Sequence, residues 1–483
     1  MILRPDVPMI PATKLHANVG ACLDIPTGKF KKGRHGESLL AGGIPLLFGI
    51  TGKSNNFKST MLAYMLLTAL YRLSKNQGSL SWYDTEVNVD LARLAYIAAQ
   101  IEGFEGFDDG ENSVFNQGLW VFSDKSNISG NKWIDKVQIF ISEKVKAFKS
   151  LSVESPFLDL DEKTLIRYML PTASGLDSFT EFETDDVLAM REKTEIGDSK
   201  ANTINLRQGL GKDRLARELP SLTARGSHFF GSCAQYGKLK EMDGGNTPPR
   251  KTMNTMRQDE KIRGVTESYL FLTMHLWLID GSELLISDDK TNAEYPIDDD
   301  NASEAVDLYK CPMKMLRSKT GSAGFTIPVL VSQKRGVQPS LTEYYNLQKA
   351  NKGYGMTGTG SHVYELDLLP GTNMRRTTIR KLIDSDKVLR RALNLTSELC
   401  QIENFHEGMK GNVPPPKEIY KKLVADGYDW NVLLNTRGWW TFDNDKQPQP
   451  FLSSQDLINM YNGTYEPFWI SKDKKSVRKE FQA

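Results

Sequence analysis

Cysteine is scarce: the 483 residues hold four, Cys22, Cys233, Cys311 and Cys400, far apart and without a CxxC pair. That usage argues against a zinc site or a disulfide scaffold and for a reducing cytosol. Long hydrophobic runs are missing as well. No apolar stretch approaches the roughly 18 residues of a membrane span. The opening Met1-Ile2-Leu3-Arg4-Pro5-Asp6 lacks the long apolar core of a signal peptide. A cytoplasmic protein with no membrane partner is expected. Excess charge of one sign is also lacking, since Lys+Arg and Asp+Glu leave a formal net charge of +1. Any contact with nucleic acid must therefore come from local patches. Neither an internal repeat nor a low-complexity run is present. The rest is ordinary globular composition, with enough chain for two or three domains and a large core.

The absence with the sharpest consequence is one glycine. An apolar run, Ile44-Pro45-Leu46-Leu47-Phe48-Gly49-Ile50, leads into Gly52-Lys53-Ser54-Asn55-Asn56-Phe57-Lys58-Ser59-Thr60, and a helical pattern from Met61 to Leu67 leads out. Strand, glycine-containing loop, Lys-Ser and helix are the parts of a phosphate-binding P-loop. Such a loop presents backbone N–H groups to phosphate oxygens at a helix N-terminus. Lys58 would reach the outer phosphates and Ser59 would offer its hydroxyl to Mg²⁺. The usual pattern is Gly, four residues, then Gly-Lys-Ser/Thr. Here Gly52 and Lys58 keep the spacing but Phe57 replaces the second glycine. The loop is therefore expected to bend without a residue free at positive φ. An ordinary turn also fits a Lys-Ser pair in a Gly/Asn-rich stretch; the flanking strand and helix favour the nucleotide reading.

Candidate chemistry follows along the chain. Lys29 to Gly36 is a basic hairpin or lead-in loop. Residues 78–84 read as a strand beside that of the P-loop, ending in Asp84-Thr85-Glu86, where α/β sheets place chemistry. Glu86 suits a general base for attacking water; Asp84 and Thr85 equally suit the N-cap of a helix from Leu91 to Ile101. Trp133 to Phe148 has helical periodicity. An insertion is expected at about 150–170. Asp177, followed by Ser178, closes a strand and fits a Walker B position, reaching Mg²⁺ through water, although Pro171 to Leu176 is poorly apolar for a central strand. Residues 181–213 are polar, Leu215 to Ala224 reads as a short helix, and His228 to Ala234 as a strand. Its end, Gln235, is a γ-phosphate sensor or a plain polar strand end. Residues 236–266 form a loop with seven cations, among them Lys238, Lys240, Arg250 and Lys251, against four anions. It suits DNA-backbone contact or a simple surface loop. Tyr269 to Ile279 and Leu284 to Ser287 look β-like. Arg317 and Lys319 near a strand end mark either a solvated hairpin or a phosphate contact across a subunit boundary. Beyond residue 345 come Gly353 to Gly360, a basic stretch from Arg375 to Arg391, Pro414-Pro415-Pro416, and a tryptophan-rich end. Those aromatics serve single-stranded nucleic acid by stacking or fill the core of a small domain.

Taken together, the order of parts resembles the RecA-type recombinases, and among them the phage UvsX-like group. Gly42-Gly43-Ile44-Pro45 is similar to that family's lead-in, and Phe57-Lys58-Ser59 to the Walker A of its phage members. Tyr83-Asp84-Thr85-Glu86 looks like the strand end bearing the catalytic glutamate, and Asp177-Ser178 like the Walker B. Glu195-Ile196-Gly197-Asp198-Ser199 is similar to the first DNA-binding loop of bacterial RecA, with Lys200 beside it. Gln235 falls where the family couples γ-phosphate to its second DNA-binding loop, here 236–266. Arg317 and Lys319 sit where it keeps two cations that reach the neighbouring subunit's nucleotide. The resemblance covers roughly residues 20–350. The longer gap from Glu86 to Asp177, the absence of a clear oligomerisation peptide and the basic C-terminal region depart from it.

The resemblance implies an α/β fold: a RecA-like P-loop ATPase core at 41–350, with a mostly parallel central β-sheet flanked by helices. A lead segment, 1–40, precedes it, and a separate C-terminal region at 351–483, a small domain of its own, follows. ATP with Mg²⁺ would bind at Gly52–Thr60, Glu86 would activate water, and single-stranded and double-stranded DNA would be the partners. Filament formation, homologous pairing and strand exchange in recombination and repair would follow. A ring-forming replicative helicase of the same fold is the alternative. A nucleotide-gated accessory protein that scarcely hydrolyses is a third reading, against which Glu86 argues.

Overall fold

A computed structural model describes residues 13–74, 78–87, 89–194, 201–238, 253–257, 260–287, 293–297, 307–360, 362–442 and 449–481. The basic stretch near the start is a hairpin of β1 (Lys29–Lys32) and β2 (Ser38–Ala41). β3 (Leu47–Gly52) then enters the glycine-lysine loop and α1 (Lys58–Ser74) leaves it. Next come β4 (Leu80–Asp84), α2 (Leu91–Ala99), β5 (Trp120–Asp124) and α3 (Gly130–Lys146). The expected insertion holds a second hairpin, β6 (Ser152–Leu158) with β7 (Leu165–Met169). β8 (Thr172–Asp177), α4 (Ala201–Gly226), β9 (His228–Lys238), α5 (Glu267–Leu272) and β10 (His275–Ile279) continue the chain. β11 (Leu308–Ser318), β12 (Thr326–Ser332), β13 (Gly336–Val337) and α6 (Pro339–Tyr345) complete this part.

One large mixed sheet runs β13-β12-β11-β10-β3-β9-β8-β4-β5. From β5 across to β10 every pairing is parallel; β10 to β13 are antiparallel. The fold is therefore α/β, with mostly parallel strands flanked by helices. β3 sits at the centre, and each of its six residues is buried, as an internal parallel strand requires. α1 packs on one face with Leu80, Trp82 and Trp120. On the other, Tyr83, Leu176 and Phe230 meet the buried sides of α3 and α4. β8 is short of large apolar residues because it lies against Trp82: a Cβ on Gly175 would stand 2.4 Å from that ring. Among the described residues no helix is long and apolar enough to cross a membrane.

Three local expectations are corrected. The helix expected at 215–224 is α4, 26 residues long, with Pro220 inside it. Ion pairs at i,i+4 lie along its middle, Arg217 to Asp213 at 2.7 Å and Arg214 to Glu218 at 3.0 Å. The β-like run 269–279 begins as helix α5, because the Thr266 side chain caps Tyr269 N–H and turns the chain. The cap of α2 is Asp90, which accepts from the N–H groups of Ala92 and Arg93, not Asp84 or Thr85.

The C-terminal region does not stand apart. It has a three-stranded sheet, β14 (Met356–Gly360), β15 (Val363–Leu366) and β16 (Leu369–Arg375), and helices that include α7 (Lys387–Phe405) and α8 (Ser454–Tyr461). Its apolar residues share a core with Ile25, Leu40, Leu308 and Leu330, while Trp440 and Phe451 join the cluster around α1. Asp456 accepts from Ser38 N–H at 2.8 Å, and Thr441 Oγ1 donates to Leu73 O at 3.3 Å. The Arg72 guanidinium lies 4.3 Å over the Trp439 ring. Trp430, Trp440 and Trp469 are buried, which fits the core reading of these aromatics. The N-terminal lead is likewise built in: Leu15, Ala17 and Val19 are buried against α1, and Tyr64 donates to Val19 O.

Where α6 meets α7, burial pushes the Glu343 carboxyl up to about 8, and Asn394 Nδ2 donates to it at 3.0 Å. The folded protein thus keeps a proton that the unfolded chain releases near 4.5, so this group's contribution to stability falls as pH rises through that interval. Glu343→Gln is expected to flatten the decline: between pH 5 and 9 the wild-type Tm should drop more steeply than the variant's in thermal unfolding.

Candidate nucleotide site

β3 brings Gly52 to the carboxyl edge of the sheet, opposite Gln235 of β9 and Ile279 of β10. The loop that follows is exposed at Lys53, Ser54 and Asn55 and buried at Asn56. It does not bend without positive φ. Asn55 stands at +62° and Phe57, where a glycine is usual, at +57°. A left-handed non-glycine residue costs about 1–2 kcal/mol, so contacts elsewhere must hold it. The Phe57 ring lies 5.1 Å from that of Tyr309, Ser282 Oγ donates to Asn56 Oδ1 at 3.0 Å, and Phe57 O accepts from Met61 N–H at 2.9 Å to start α1. Lys58 Nζ reaches back over the loop to Lys53 O at 2.7 Å.

Acidic groups converge beside this loop. Asp177 at the end of β8 pairs in register with Asp84 at the end of β4. Asp177 is buried, and that burial raises its pKa to about 6; a hydrogen bond from Ser59 and the charge of Lys58 oppose the rise, while Glu86 and Asp84 add to it. Lys58, Ser59, Asp84, Glu86 and Asp177 are thus within electrostatic reach of one point. Asp84 accepts from Glu86 N–H at 2.8 Å and from Val89 N–H at 3.3 Å. Thr85 stitches the two strand ends: its N–H donates to Asp177 O at 2.7 Å, and its Oγ1 accepts from Ser178 N–H at 2.7 Å. Glu86 is exposed at the mouth. The oxygen donors Ser59 and Asp177 suit a hard cation such as Mg²⁺, which takes few protein ligands and completes its shell with phosphate and water.

Gln235 is tied to the far end of the basic loop. Its N–H donates to Thr180 Oγ1 at 2.9 Å and its carbonyl accepts from Arg263 N–H at 2.8 Å. Lys238 ends β9, opposite Glu260. Arg257, from the same loop, reaches Asp280 at 2.9 Å, immediately after the strand that flanks Gly52. Gly197, Asp198, Ser199, Lys200, Lys240, Arg250 and Lys251 lie outside the described residues.

Arg317 and Lys319 are not brought to this point within one chain. β11 runs antiparallel to β10, so Ser318 lies beside His275 and Phe48, at the opposite edge of the sheet from Gly52. Arg317 donates to Phe271 O at 2.9 Å and Thr273 O at 3.2 Å. Lys319 is exposed, and its amine is held below the usual lysine range by partial burial and by the charges of Arg317 and Lys14.

Asp84, Thr85, Ser282 and Tyr309 also shape the site; the sequence marked the first two only as part of the strand end before Glu86 and the last two not at all. The Asp84–Asp177 pairing depends on register between distant strands, which no local pattern carries. Ser282 and Tyr309 act across the sheet on a loop more than 200 residues earlier. No family model and no curated protein matches the chain.

Thr85→Ala would leave the buried Ser178 N–H without its partner, a loss of about 1–3 kcal/mol. Urea unfolding should show a lower midpoint at unchanged slope.

Proposed function

We propose that the chain is an ATP-dependent, DNA-stimulated recombinase of the RecA type, which assembles on single-stranded DNA and promotes homologous pairing and strand exchange. The observation that carries this reading is the meeting of Lys58, Ser59, Asp177 and Glu86 at the carboxyl ends of β3, β8 and β4, with two cations held at the opposite edge of the same sheet. A crevice at the carboxyl ends of parallel strands is where such sheets bind ligands. Consecutive β3 and β4 are separated there by β9 and β8, which opens the space.

In this reading the loop N–H groups and Lys58 bind the phosphates, Lys58 exchanging Lys53 O for a phosphate oxygen. Ser59, and Asp177 through water, would hold Mg²⁺, which neutralises charge on the β- and γ-oxygens. Glu86 takes the proton of the attacking water as its oxygen bonds to the γ-phosphorus and the bond to the ADP oxygen breaks. Arg317 and Lys319 face away from their own site, so they serve the nucleotide of an adjoining copy. A head-to-tail contact of that kind need not close into a ring. The loop that holds Gln235 and Arg263 together is the element through which nucleotide and DNA sense each other. Of the DNA-contact residues in this reading, Lys238 ends β9.

Lys58→Ala is expected to abolish nucleotide binding and DNA-stimulated hydrolysis. Glu86→Gln should keep binding and lower kcat by about 10²–10⁴-fold, whereas unchanged turnover would remove Glu86 as the base. Negative-stain microscopy with a non-hydrolysable ATP analogue should show helical filaments on single-stranded DNA; closed rings would favour the helicase instead.

Asp177 must be ionised to serve Mg²⁺. Mg²⁺-dependent binding of a fluorescent ATP analogue should therefore weaken as pH falls through about 6. Asp177→Asn should bind weakly throughout and lack that step.

A further inference from the structure

Phe57 occupies a left-handed conformation that glycine would adopt at no steric cost. Something outside the loop has to keep it there. Two contacts come from one direction. Ser282 Oγ donates to Asn56 Oδ1 at 3.0 Å, and the Tyr309 ring lies 5.1 Å from Phe57. Their carriers are braced independently of the loop. Ser282 immediately precedes the short strand Glu283–Leu284, which pairs with Tyr309 and Lys310 of β11. Lys310 Nζ closes that ladder on Glu283 at 2.7 Å. On its other side Tyr309 pairs with Val331 of β12, and Gln333 Nε2 donates to its hydroxyl at 3.2 Å. Asp280 N–H donates to Pro312 O at 3.2 Å, fixing the segment where it leaves β10.

We propose that Ser282 and Tyr309 are positioning residues that clamp Asn56 and Phe57 and impose the phosphate-binding shape that a second glycine usually permits. The proposal rests on the reading of this loop as a nucleotide site. Its physical logic is preorganisation. A glycine at position 57 would reach positive φ unaided but would also sample many other conformations. A phenylalanine held by a clamp has fewer states to lose when phosphate binds. Without the clamp, Phe57 relaxes to negative φ and its N–H turns away from the ligand.

The test is rescue, read as the Kd of a fluorescent ATP analogue for the full-length protein. Tyr309→Ala is expected to weaken binding about tenfold, the scale of one strained left-handed residue, and Ser282→Ala less. Tyr309→Phe keeps the ring and should stay within about twofold of wild type. Phe57→Gly in the Tyr309→Ala background should restore most of the affinity, because glycine needs no clamp. A double variant no tighter than Tyr309→Ala alone would overturn the proposal. Should Tyr309→Ala fold poorly, Ser282→Ala with and without Phe57→Gly makes the same comparison, and absence of rescue there is equally decisive. Saturable binding in wild type that Lys58→Ala leaves intact would instead sink the nucleotide reading. The clamp is then judged by thermal unfolding: Phe57→Gly should raise Tm relative to its parent more in the Tyr309→Ala background than in wild type, and an equal change would reject it.

Discussion

The central strand Leu47–Gly52 has no exposed residue and is hydrogen-bonded on both sides, by β9 and by β10. That confinement orders what surrounds it. The loop after it can emerge only at the carboxyl edge of the sheet, and the helix after the loop must lie back across a face already lined by Trp82 and Trp120. α1 is consequently apolar on nearly every side. A helix of that kind cannot be left at a surface, so the N-terminal lead and the C-terminal region are drawn over it.

Burial also sets the protonation of the acids that pin those coverings down. Asp24 accepts from the N–H groups of Val19 and Gly20, and burial raises it to about 6. Asp456, which holds Ser38, is raised to about 7 for the same reason. Each native carboxyl keeps its proton above the range of the unfolded chain, so the covering layer loses stability as pH rises. Asp177 belongs to the same class by its desolvation. Local partners oppose that rise at all three: Arg72 at Asp24, Ser38 and Ser453 at Asp456, and Ser59 and Lys58 at Asp177. Packing and site chemistry thus draw on one physical effect, with local partners deciding the outcome.

Much of the fold was legible where periodicity was strong. The strand into the loop, the helix out of it and the helix from about residue 133 stand close to where their apolar spacing puts them, whereas the mostly parallel α/β sheet was expected from the resemblance rather than from spacing. Legibility failed where long-range packing overrode local texture. β8 reads as a weak strand because its small residues answer to Trp82, 93 positions from Gly175 in sequence. The polar first half of α4 reads as loop, although it is continuous with the half that buries Leu215, Ala216 and Leu219. At the candidate site, Lys58, Ser59 and Asp177 were visible because they open or close a regular element, and Glu86 because it lies just beyond the end of one. Phe57 was visible as an anomaly, but its conformation was not, since the ring that braces it belongs to β11.

The interleaving of chain ends with the centre has a consequence for synthesis. Ser38 waits for Asp456, Leu73 for Thr441, and Cys22 for Ser397, whose hydroxyl lies 3.3 Å from the thiol. A nascent chain emerging from the ribosome therefore has β3 and α1 hundreds of residues before the side chains that cover them. During that interval Leu73 O and the Arg72 guanidinium lack Thr441 and Trp439, and contacts of such sequence separation form slowly. The layer over α1 cannot close early. It has to await Trp439 and Thr441.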